Sequence, residues 1–377
     1  DLKAQYQKYQ EEINSAIQEV LINTNFIGGK QVVELEQQLA DYVGVKYCIT
    51  CANGTDALSL VLKAWGIKEG DAVFVPDFTF FSTGEVVSLN GATPVFVDVD
   101  EKTFNIDTNK LKKSIERVIQ EGKLIPKVVI PVDLFGLPAD YHEIEKIAEE
   151  YNLLVLEDGA QGFGGNINGK MACSFGHAAT TSFFPAKPLG CYGDGGAIFT
   201  NDDELAEILR SIKVHGKGKN KYDNVRIGVN SRLDTIQAAI LKVKLKAFIE
   251  HELDSVNNVY NLYTQRLKGV VDTPVIPEGY YSSFAQYTIK LQSKEQRDNL
   301  QAKLKENGIP SMIYYVKPMH KQEAFANLEF NDEDFEVTNR LCDTVLSLPM
   351  HPYLTEEDIS LVCKVITEFI NEDRKKR

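Results

Sequence analysis

A lysine in a stretch rich in proline and glycine is the residue of this sequence best suited to covalent chemistry. Lys187 lies within Ser182-Phe-Phe-Pro-Ala-Lys-Pro-Leu-Gly-Cys-Tyr-Gly-Asp-Gly-Gly-Ala197, a tight turn that leads into an apolar run. Most lysines in loops are solvated surface residues. A lysine that is held rigidly, with its pKa lowered, can instead form a Schiff base with a carbonyl compound. The prolines and glycines around Lys187 favour this second interpretation.

Two carboxylates follow an apolar run that has the length of a buried strand. Glu157 and Asp158 end the run that starts at Leu153, and Gln161 comes three residues later. Open α/β sheets bind ligands at the carboxyl ends of their strands. Neighbouring strand residues point to opposite faces, so only one of the two acids can reach such a pocket. That acid can hold a protonated pyridine nitrogen, so that the ring accepts electrons. The alternative is an aspartate that caps a turn.

A candidate phosphate site lies earlier in the chain. The segment Cys51-Ala-Asn-Gly-Thr-Asp-Ala-Leu58 has the pattern of a strand end, a glycine turn and a helix start. The N–H groups at a helix N-terminus favour an anion. Gly54 and Thr55 are therefore candidate phosphate contacts, with the hydroxyl of Ser182 on the other side of the phosphate. Thr55 or Asp56 could also serve only as a helix N-cap.

The elements that must position these residues alternate along the chain, as in a doubly wound α/β sheet. Seven strands are predicted at residues 47–51, 72–75, 94–97, 128–132, 153–156, 179–183 and 197–200. Helices are predicted at 4–21, 32–43, 55–65, 83–89 and 141–151. After a helical region at about 233–267, the alternation resumes with strands at 285–291 and 310–315 and helices at 294–307 and 356–370. We expect a large domain at residues 1–245 and a smaller C-terminal α/β domain at residues 246–377.

Composition excludes several classes of function. The 41 Lys and Arg residues against 54 Asp and Glu residues give a net charge of −13, which argues against nucleic acid as a partner. We find neither an apolar signal core at the start nor a run long enough to cross a membrane, so a cytoplasmic location is expected. The six cysteines are scattered, and we expect reduced thiols rather than a disulfide framework.

Three stretches, two of them within the segment around Lys187, carry a family resemblance. Ser182-Phe-Phe-Pro-Ala-Lys-Pro-Leu-Gly190, Gly193-Asp-Gly-Gly-Ala197 and Asn230-Ser-Arg-Leu-Asp-Thr-Ile-Gln-Ala-Ala239 resemble the DegT/DnrJ/StrS family of nucleotide-sugar aminotransferases, which depend on pyridoxal 5'-phosphate (PLP). The resemblance covers nearly the whole chain. It implies the fold of aspartate aminotransferase, with a mostly parallel seven-stranded sheet in the large domain.

The resemblance also implies roles for single residues. Lys187 would be the Schiff-base lysine and proton shuttle, Asp158 the partner of the pyridinium nitrogen, and Gln161 a hydrogen-bond partner near the phenolic oxygen of PLP. The family's phosphate contacts match Gly54, Thr55 and Ser182. Phe80 matches the aromatic residue that stacks on the cofactor ring, although an ordinary core phenylalanine is the alternative.

Asn230 and Arg232 match positions that, in the family, reach the neighbouring subunit's site, toward phosphate and substrate. The resemblance therefore implies a homodimer with shared active sites. The alternative is that Ser231 and Asp234 only open the next helix while Arg232 is solvated.

The implied reaction has two halves. In the first half an amino donor, by resemblance glutamate, gives its amino group to PLP, which produces pyridoxamine 5'-phosphate and 2-oxoglutarate. In the second half the amino group passes to a keto sugar that is attached to its nucleotide.

The chain departs from the family at Tyr314 and Tyr315, where related proteins usually carry His-Tyr-Pro, and these residues are expected to face the sugar. The favoured substrate is a 3-keto sugar linked to UDP or dTDP, of the type that is used in surface polysaccharide synthesis. The alternatives are a 4-keto-6-deoxy sugar, a PLP-dependent sugar dehydratase, in which the lysine is commonly replaced, and a regulatory protein without catalysis.

Overall fold

Twelve strands form three sheets in the computed structural model, which describes residues 1–220 and 222–376. In chain order the strands are β1 (Tyr47–Cys51), β2 (Asp71–Pro76), β3 (Thr93–Val97), β4 (Ile125–Val129), β5 (Leu154–Asp158), β6 (Asn166–Ile167), β7 (Lys170–Met171), β8 (Ala178–Ser182), β9 (Gly196–Thr200), β10 (Tyr280–Tyr281), β11 (Tyr287–Lys290) and β12 (Val345–Leu348).

Seven of these strands make the central sheet, in the order β1-β9-β8-β5-β4-β2-β3. The strands from β8 to β3 pair in parallel, whereas β9 runs antiparallel to both β8 and β1. β1 is therefore parallel to β8, and every strand of the sheet except β9 ends at the same edge. This confirms the predicted α/β class with a mostly parallel seven-stranded sheet.

Twelve α-helices accompany the strands in the described part of the chain. They are α1 (Leu2–Asn23), α2 (Lys30–Val43), α3 (Gly54–Ala64), α4 (Ser82–Leu89), α5 (Thr108–Glu121), α6 (Tyr141–Tyr151), α7 (Asp203–Ile212), α8 (Thr235–Ala247), α9 (Leu253–Leu267), α10 (Lys294–Glu306), α11 (Glu336–Thr344) and α12 (Glu356–Lys376). Side chains that cap a first turn explain several of the starts: Asn53, Asp107, Asp140 and Asp202. None of the helices described for residues 1–220 and 222–376 is both long and apolar enough to cross a bilayer.

The middle of the sheet is covered by helices on both faces. In β2, Ala72 and Phe74 pack on one face with apolar residues of α5 and α6, whereas Val73 and Val75 pack on the other with α3, α4 and α7. Because its side chains alternate between two buried faces, the strand reads as a continuous apolar run. The polar residues that follow such strands therefore collect at the open edge where the strands end.

The last third of the chain has a core of its own. β11 and β12 pair antiparallel and share a hydrophobic core with α9, α10 and α12. α8 continues through a π-helical turn, Phe248–Glu252, into α9, so the connection to this core is helical, as expected. The division of the chain into domains at residue 245 stays a prediction.

The fold departs from the sequence prediction in a few places. Residues 310–315 do not form a strand, because only Met312 pairs, with Ser347, in an isolated bridge, and the tyrosines that follow turn toward a cavity. The strand predicted at 128–132 starts three residues earlier, as β4. The elements that were not predicted are the helices α5, α7 and α11 and the strands β6, β7, β10 and β12.

Candidate active site

A cavity of about 700 Å³ opens at the edge where the parallel strands end, a volume in the range of small-molecule sites. Nine of the predicted site residues line it: Gly54, Thr55, Phe80, Asp158, Gln161, Ser182, Lys187, Tyr314 and Tyr315. Asn230 and Arg232 do not line it in the single chain and are exposed. The cavity thus brings together side chains that lie up to about 260 residues apart in the sequence.

Lys187 projects from a tightly folded loop between β8 and β9. The backbone N–H of Lys187 donates to the carbonyl of Phe184 at 2.9 Å. Gly190 allows the close turn, because a Cβ atom there would lie 2.6 Å from the carbonyl oxygens of Phe184 and Pro185. Burial lowers the pKa of the Lys187 amine, and the negative charge of Asp158 partly opposes that shift. The lysine therefore has the rigid, partly desolvated setting that amine chemistry requires.

Asp158 ends β5 and points its carboxylate into the same cavity. The side chain of Asp158 is only 5% exposed. Its Oδ2 accepts a hydrogen bond from the hydroxyl of Thr83 at 2.9 Å, and its Oδ1 accepts from the N–H of Ala160 at 3.2 Å. Burial raises the pKa of Asp158, while Thr83, Ala160 and the charge of Lys187 lower it. The aspartate thus caps a turn and also offers a carboxylate to the cavity.

Glu157 points to the opposite face of β5, as the strand geometry predicted. Its two oxygens accept from the backbone N–H groups of Cys173 and Phe175, at 2.5 and 2.8 Å. Its neighbour on that face is Asp133, whose Oδ1 accepts from the hydroxyl of Tyr141 at 2.6 Å. Burial raises the pKa of both carboxyl groups. Because two adjacent negative charges are costly in a buried setting, this pair of acids favours holding one proton between them.

The amide of Gln161 has one orientation that satisfies its neighbours. Its Oε1 accepts from the backbone N–H of Phe135 at 2.8 Å, so its NH₂ group must face the other way. That NH₂ donates to the hydroxyl of Tyr315 at 3.2 Å. The backbone carbonyl of Gln161 is held by the hydroxyl of Ser283. The second N–H of the amide stays available for an oxygen in the cavity.

The phosphate end of the cavity is formed by the start of α3 and the end of β8. A helix N-terminus presents N–H groups without intrahelical acceptors. Gly54 lies directly on Ser182, and a Cβ at residue 54 would come within 2.8 Å of the Cβ of Ser182. The hydroxyl of Thr55 lies 2.7 Å from that of Ser82. Asn53 supplies the N-cap by accepting from the N–H of Asp56, so Thr55 is not needed for capping.

Aromatic side chains form a further wall of the cavity. Phe80 is 54% exposed and lines the cavity, so it is not a core phenylalanine, whereas Phe78 is fully buried. Tyr315 packs edge-on against Phe78, with ring centres 5.7 Å apart, and Tyr314 lies beside Tyr315. Gln286 also lines the cavity, and its buried Oε1 has no hydrogen-bond partner among the residues that the structure describes. The local sequence does not identify Gln286 as a site residue, because the pattern of its neighbours predicts only a strand.

The segment from Asn230 to Arg232 is anchored near the phosphate end by its middle residue. The hydroxyl of Ser231 donates to Asp56 at 2.6 Å and accepts from the N–H of Ala52 at 3.0 Å. Ser231 therefore does not open the following helix; α8 starts after Asp234, whose side chain makes no capping bond. With Ser231 buried, the side chains of Asn230 and Arg232 are directed to the outside of the chain.

The chemistry of this set of groups fits PLP. The start of α3 and Ser182 match a phosphate, and the carboxylate of Asp158 matches a protonated ring nitrogen. The amine of Lys187 matches an aldehyde, and the free N–H of Gln161 matches a phenolic oxygen. One cavity contains all four of these groups.

Comparison with known proteins agrees with this geometry. Residues 7–367 match the model of the DegT/DnrJ/EryC1/StrS aminotransferase family. The chain is 46% identical over 368 residues to the UDP-2-acetamido-2-deoxy-3-oxo-D-glucuronate aminotransferase of Pseudomonas aeruginosa, across 97% of this chain and 98% of that protein. It is 43% identical over 372 residues to a protein of Geobacillus stearothermophilus named pleiotropic regulatory protein, across 98% and 97% of the two chains.

A solved structure is similar over the same extent. The crystal structure of a DegT DnrJ EryC1 StrS aminotransferase from Brucella abortus superposes with a TM-score of 0.95 at 50% identity, and the match covers 98% of both chains.

Proposed function

Because the chain belongs to the DegT/DnrJ/EryC1/StrS aminotransferase family, we propose that it transfers an amino group from glutamate to a nucleotide-linked 3-keto sugar. It is a PLP-dependent nucleotide-sugar aminotransferase. The observation that carries the proposed amino transfer is the cavity in which an amine, a carboxylate, an amide and a phosphate-binding helix start converge. The donor and the exact sugar are the parts that this proposal adds.

Each side chain of the cavity would have a distinct task. Bound PLP supplies a ring that accepts electrons from the carbon bearing the amino group. The carboxylate of Asp158 would keep the ring nitrogen protonated, and the N–H of Gln161 would hold the phenolic oxygen. Lys187 Nζ would take the proton from the substrate carbon in one half of the reaction and return a proton in the other. Phe80 would cover one face of the ring.

A 3-keto sugar is favoured because the Pseudomonas relative is named for a UDP-linked 3-oxo sugar. The residues that would meet the sugar are Tyr314, Tyr315 and Gln286, which line the same cavity. Gln286 Oε1 has no hydrogen-bond partner within residues 1–220 and 222–376, and it would accept a hydrogen bond from a sugar hydroxyl or amide. A 4-keto-6-deoxy sugar is the second candidate for the substrate.

The relative named as a regulatory protein raises the alternative of a protein without catalysis. The retained Lys187, its lowered pKa and its position in the cavity with Asp158 support an enzyme instead. We further propose that the enzyme works in the cytoplasm, in amino-sugar synthesis for surface polysaccharides or O-antigen. The six unpaired cysteines support that location.

We propose a homodimer in which Asn230 and Arg232 complete the partner's site. Both side chains are exposed and stand beside the phosphate end of their own cavity without lining it. Exposed apolar residues surround this segment: Ile27, Ile227 and Val229 are 45%, 83% and 41% exposed. A patch of this kind is typical of a surface that a partner covers.

The substrate proposal is tested by running the reaction backward from stable amino sugars. UDP- and dTDP-linked 3-amino and 4-amino sugars are each incubated with the PLP enzyme and 2-oxoglutarate, and glutamate is measured. We expect turnover of the 3-amino members, with kcat/KM at least tenfold above that of the 4-amino members. Turnover of the 4-amino members alone would replace the 3-keto assignment, and formation of no glutamate with any sugar would remove the proposed donor and reaction.

A further inference from the structure

Two threonines form a buried chain of hydroxyl groups that ends on Asp158. The hydroxyl of Thr83 lies 2.9 Å from Asp158 Oδ2, and the hydroxyl of Thr79 lies 3.1 Å from that of Thr83. Thr83 and Thr79 are 1% and 4% exposed. Thr83 is in the first turn of α4 and Thr79 is in the loop after β2, so both lie at the open edge of the sheet.

The chemistry of the groups fixes the direction of these hydrogen bonds. An ionised carboxylate only accepts, so the hydroxyl of Thr83 must donate its single proton to Asp158. The oxygen of Thr83 can then only accept from its neighbour, so Thr79 must donate to Thr83. Each bond of such a chain polarises and strengthens the next. The threonine chain therefore presents Asp158 with a stronger donor than an isolated hydroxyl.

We propose that Thr83, held by Thr79, is a positioning residue that keeps the Asp158 carboxylate ionised and aimed at the nitrogen of the cofactor ring. This inference rests on the proposed function, because it requires Asp158 to be the partner of that nitrogen. Thr83 acts through Asp158 and does not itself contact the reacting atoms.

The surroundings of Asp158 explain why this support matters. The side chain is almost fully buried, and burial raises its pKa. Three features oppose that effect: the Thr83 hydroxyl, the N–H of Ala160 and the charge of Lys187. The charge of Lys187 is not constant, because the lysine changes protonation during the reaction. Of the two hydrogen bonds to the carboxylate, the one from Thr83 is the shorter.

Thr181 provides a matched control. It is a buried threonine, 1% exposed, whose hydroxyl donates to the backbone carbonyl of Gly159 at 3.0 Å. Thr83→Val and Thr181→Val therefore make the same change of atoms, and each removes the one hydrogen bond that the hydroxyl donates. Thr83→Val also removes the bond that Thr83 accepts from Thr79. Only the first removes a donor to a carboxylate, for which the loss is larger.

The test compares wild type, Thr83→Val, Thr83→Ser and Thr181→Val. Each protein is prepared without cofactor and is then loaded with PLP. We measure the PLP dissociation constant by titration and the single-turnover rate with glutamate between pH 6 and 9. We expect Thr83→Val to weaken PLP binding and to slow the glutamate step by at least tenfold. Its acid limb should also move to higher pH, because Asp158 then takes up a proton more readily. Thr83→Ser should recover most of the rate, and Thr181→Val should stay within about threefold of wild type.

The outcomes separate this inference from the proposed function. Wild-type protein that binds no PLP would overturn the proposed function itself. Wild type that reacts, with Thr83→Val equal to Thr181→Val in rate, affinity and pH profile, would overturn the role of Thr83 alone. If Thr83→Val does not fold, Thr79→Val replaces it, since it leaves Thr83 in place and should shift the acid limb in the same direction. An unshifted profile for Thr79→Val would then count against the inference.

Discussion

At the residue scale, burial acts in opposite directions on the two central side chains of the cavity. It lowers the pKa of Lys187 and raises the pKa of Asp158, and the charge of each group opposes the shift of the other. A partly desolvated amine is easier to deprotonate and therefore a better nucleophile. The hydroxyl of Thr83 donates to the carboxylate and so favours its ionised form. Each group thus stabilises the charged form of the other.

Gln286 should contribute to sugar binding because its buried Oε1 has no partner in the described chain. Replacing it by leucine, which has similar size, removes the acceptor that we assign to a sugar hydroxyl or amide. We expect KM for the sugar to rise about tenfold, which corresponds to about 1.4 kcal/mol, with PLP affinity unchanged. Gln296→Leu is the control, because Gln296 is bonded to Asp373 outside the cavity. An unchanged KM in Gln286→Leu would remove Gln286 from the sugar site.

The sequence was informative about residues whose setting is local. Gly54, Asp158 and Ser182 each follow or end a recognisable strand, so their convergence at one sheet edge could be predicted. Thr83 and Gln286 could not be predicted in the same way. The role of Thr83 depends on a carboxylate 75 residues away, and that of Gln286 depends on the shape of the cavity.

At the element scale, most of the central sheet could be read from buried apolar runs, because strands covered on both faces have continuous hydrophobic patterns. The segment 310–315 has a similar composition but is not a strand. Its tyrosines line the cavity, and only Met312 pairs with a strand residue, Ser347. The helix α5 carried a readable pattern that the prediction missed: Leu111, Ile115 and Val118 are buried at helical spacing after the cap Asp107. The small sheet of β11 and β12 depends on pairing across 55 residues or more, which a local pattern does not contain.

The free energy of unfolding should depend on pH through the buried pair of Asp133 and Glu157, near the end of β5. Burial raises the pKa of both acids, so the folded protein keeps a proton that the unfolded chain loses above about pH 4. The stability that the shared proton provides is therefore present at low pH and is lost as pH rises through the folded-state pKa values.

Asp133→Asn should remove much of the loss of stability that occurs as pH rises. Its amide can keep the acceptor for Tyr141 and donate to Glu157, which then stays ionised while it accepts from the N–H groups of Cys173 and Phe175. We expect the fall in unfolding free energy between pH 5.5 and 8.5, measured with urea, to be smaller in the variant than in wild type. An equal fall in both proteins would show that the pair does not share a proton.

At the scale of the whole molecule, the single chain has a cavity for cofactor and sugar but leaves Asn230 and Arg232 outside it. The loop that carries them is attached to its own chain through Ser231 and Asp56. A second copy of the chain would cover the exposed apolar residues around this loop and receive the two polar side chains. In that arrangement each active site would need both subunits.

Mixed dimers test this arrangement. Lys187→Ala dimers should be inactive, and Arg232→Ala dimers should be strongly impaired. When the two variants are unfolded together and refolded, half of the dimers are mixed, and each mixed dimer should contain one intact site. We expect the mixture to recover about a quarter of wild-type activity. Refolding each variant separately provides the baseline. Activity that stays at the average of the two variants would indicate that Arg232 serves its own chain.

The most direct test of the central claim is to identify the lysine that carries PLP. The purified protein is loaded with PLP, reduced with borohydride and digested, and the peptides are analysed by mass spectrometry. Lys244 is an internal comparison, because it is buried outside the cavity and burial lowers its pKa to about 8. We expect the absorbance band of bound PLP to disappear and one pyridoxyl group to appear on Lys187, with none on Lys244. A protein that shows no such band, or a label on a lysine other than Lys187, would contradict the account.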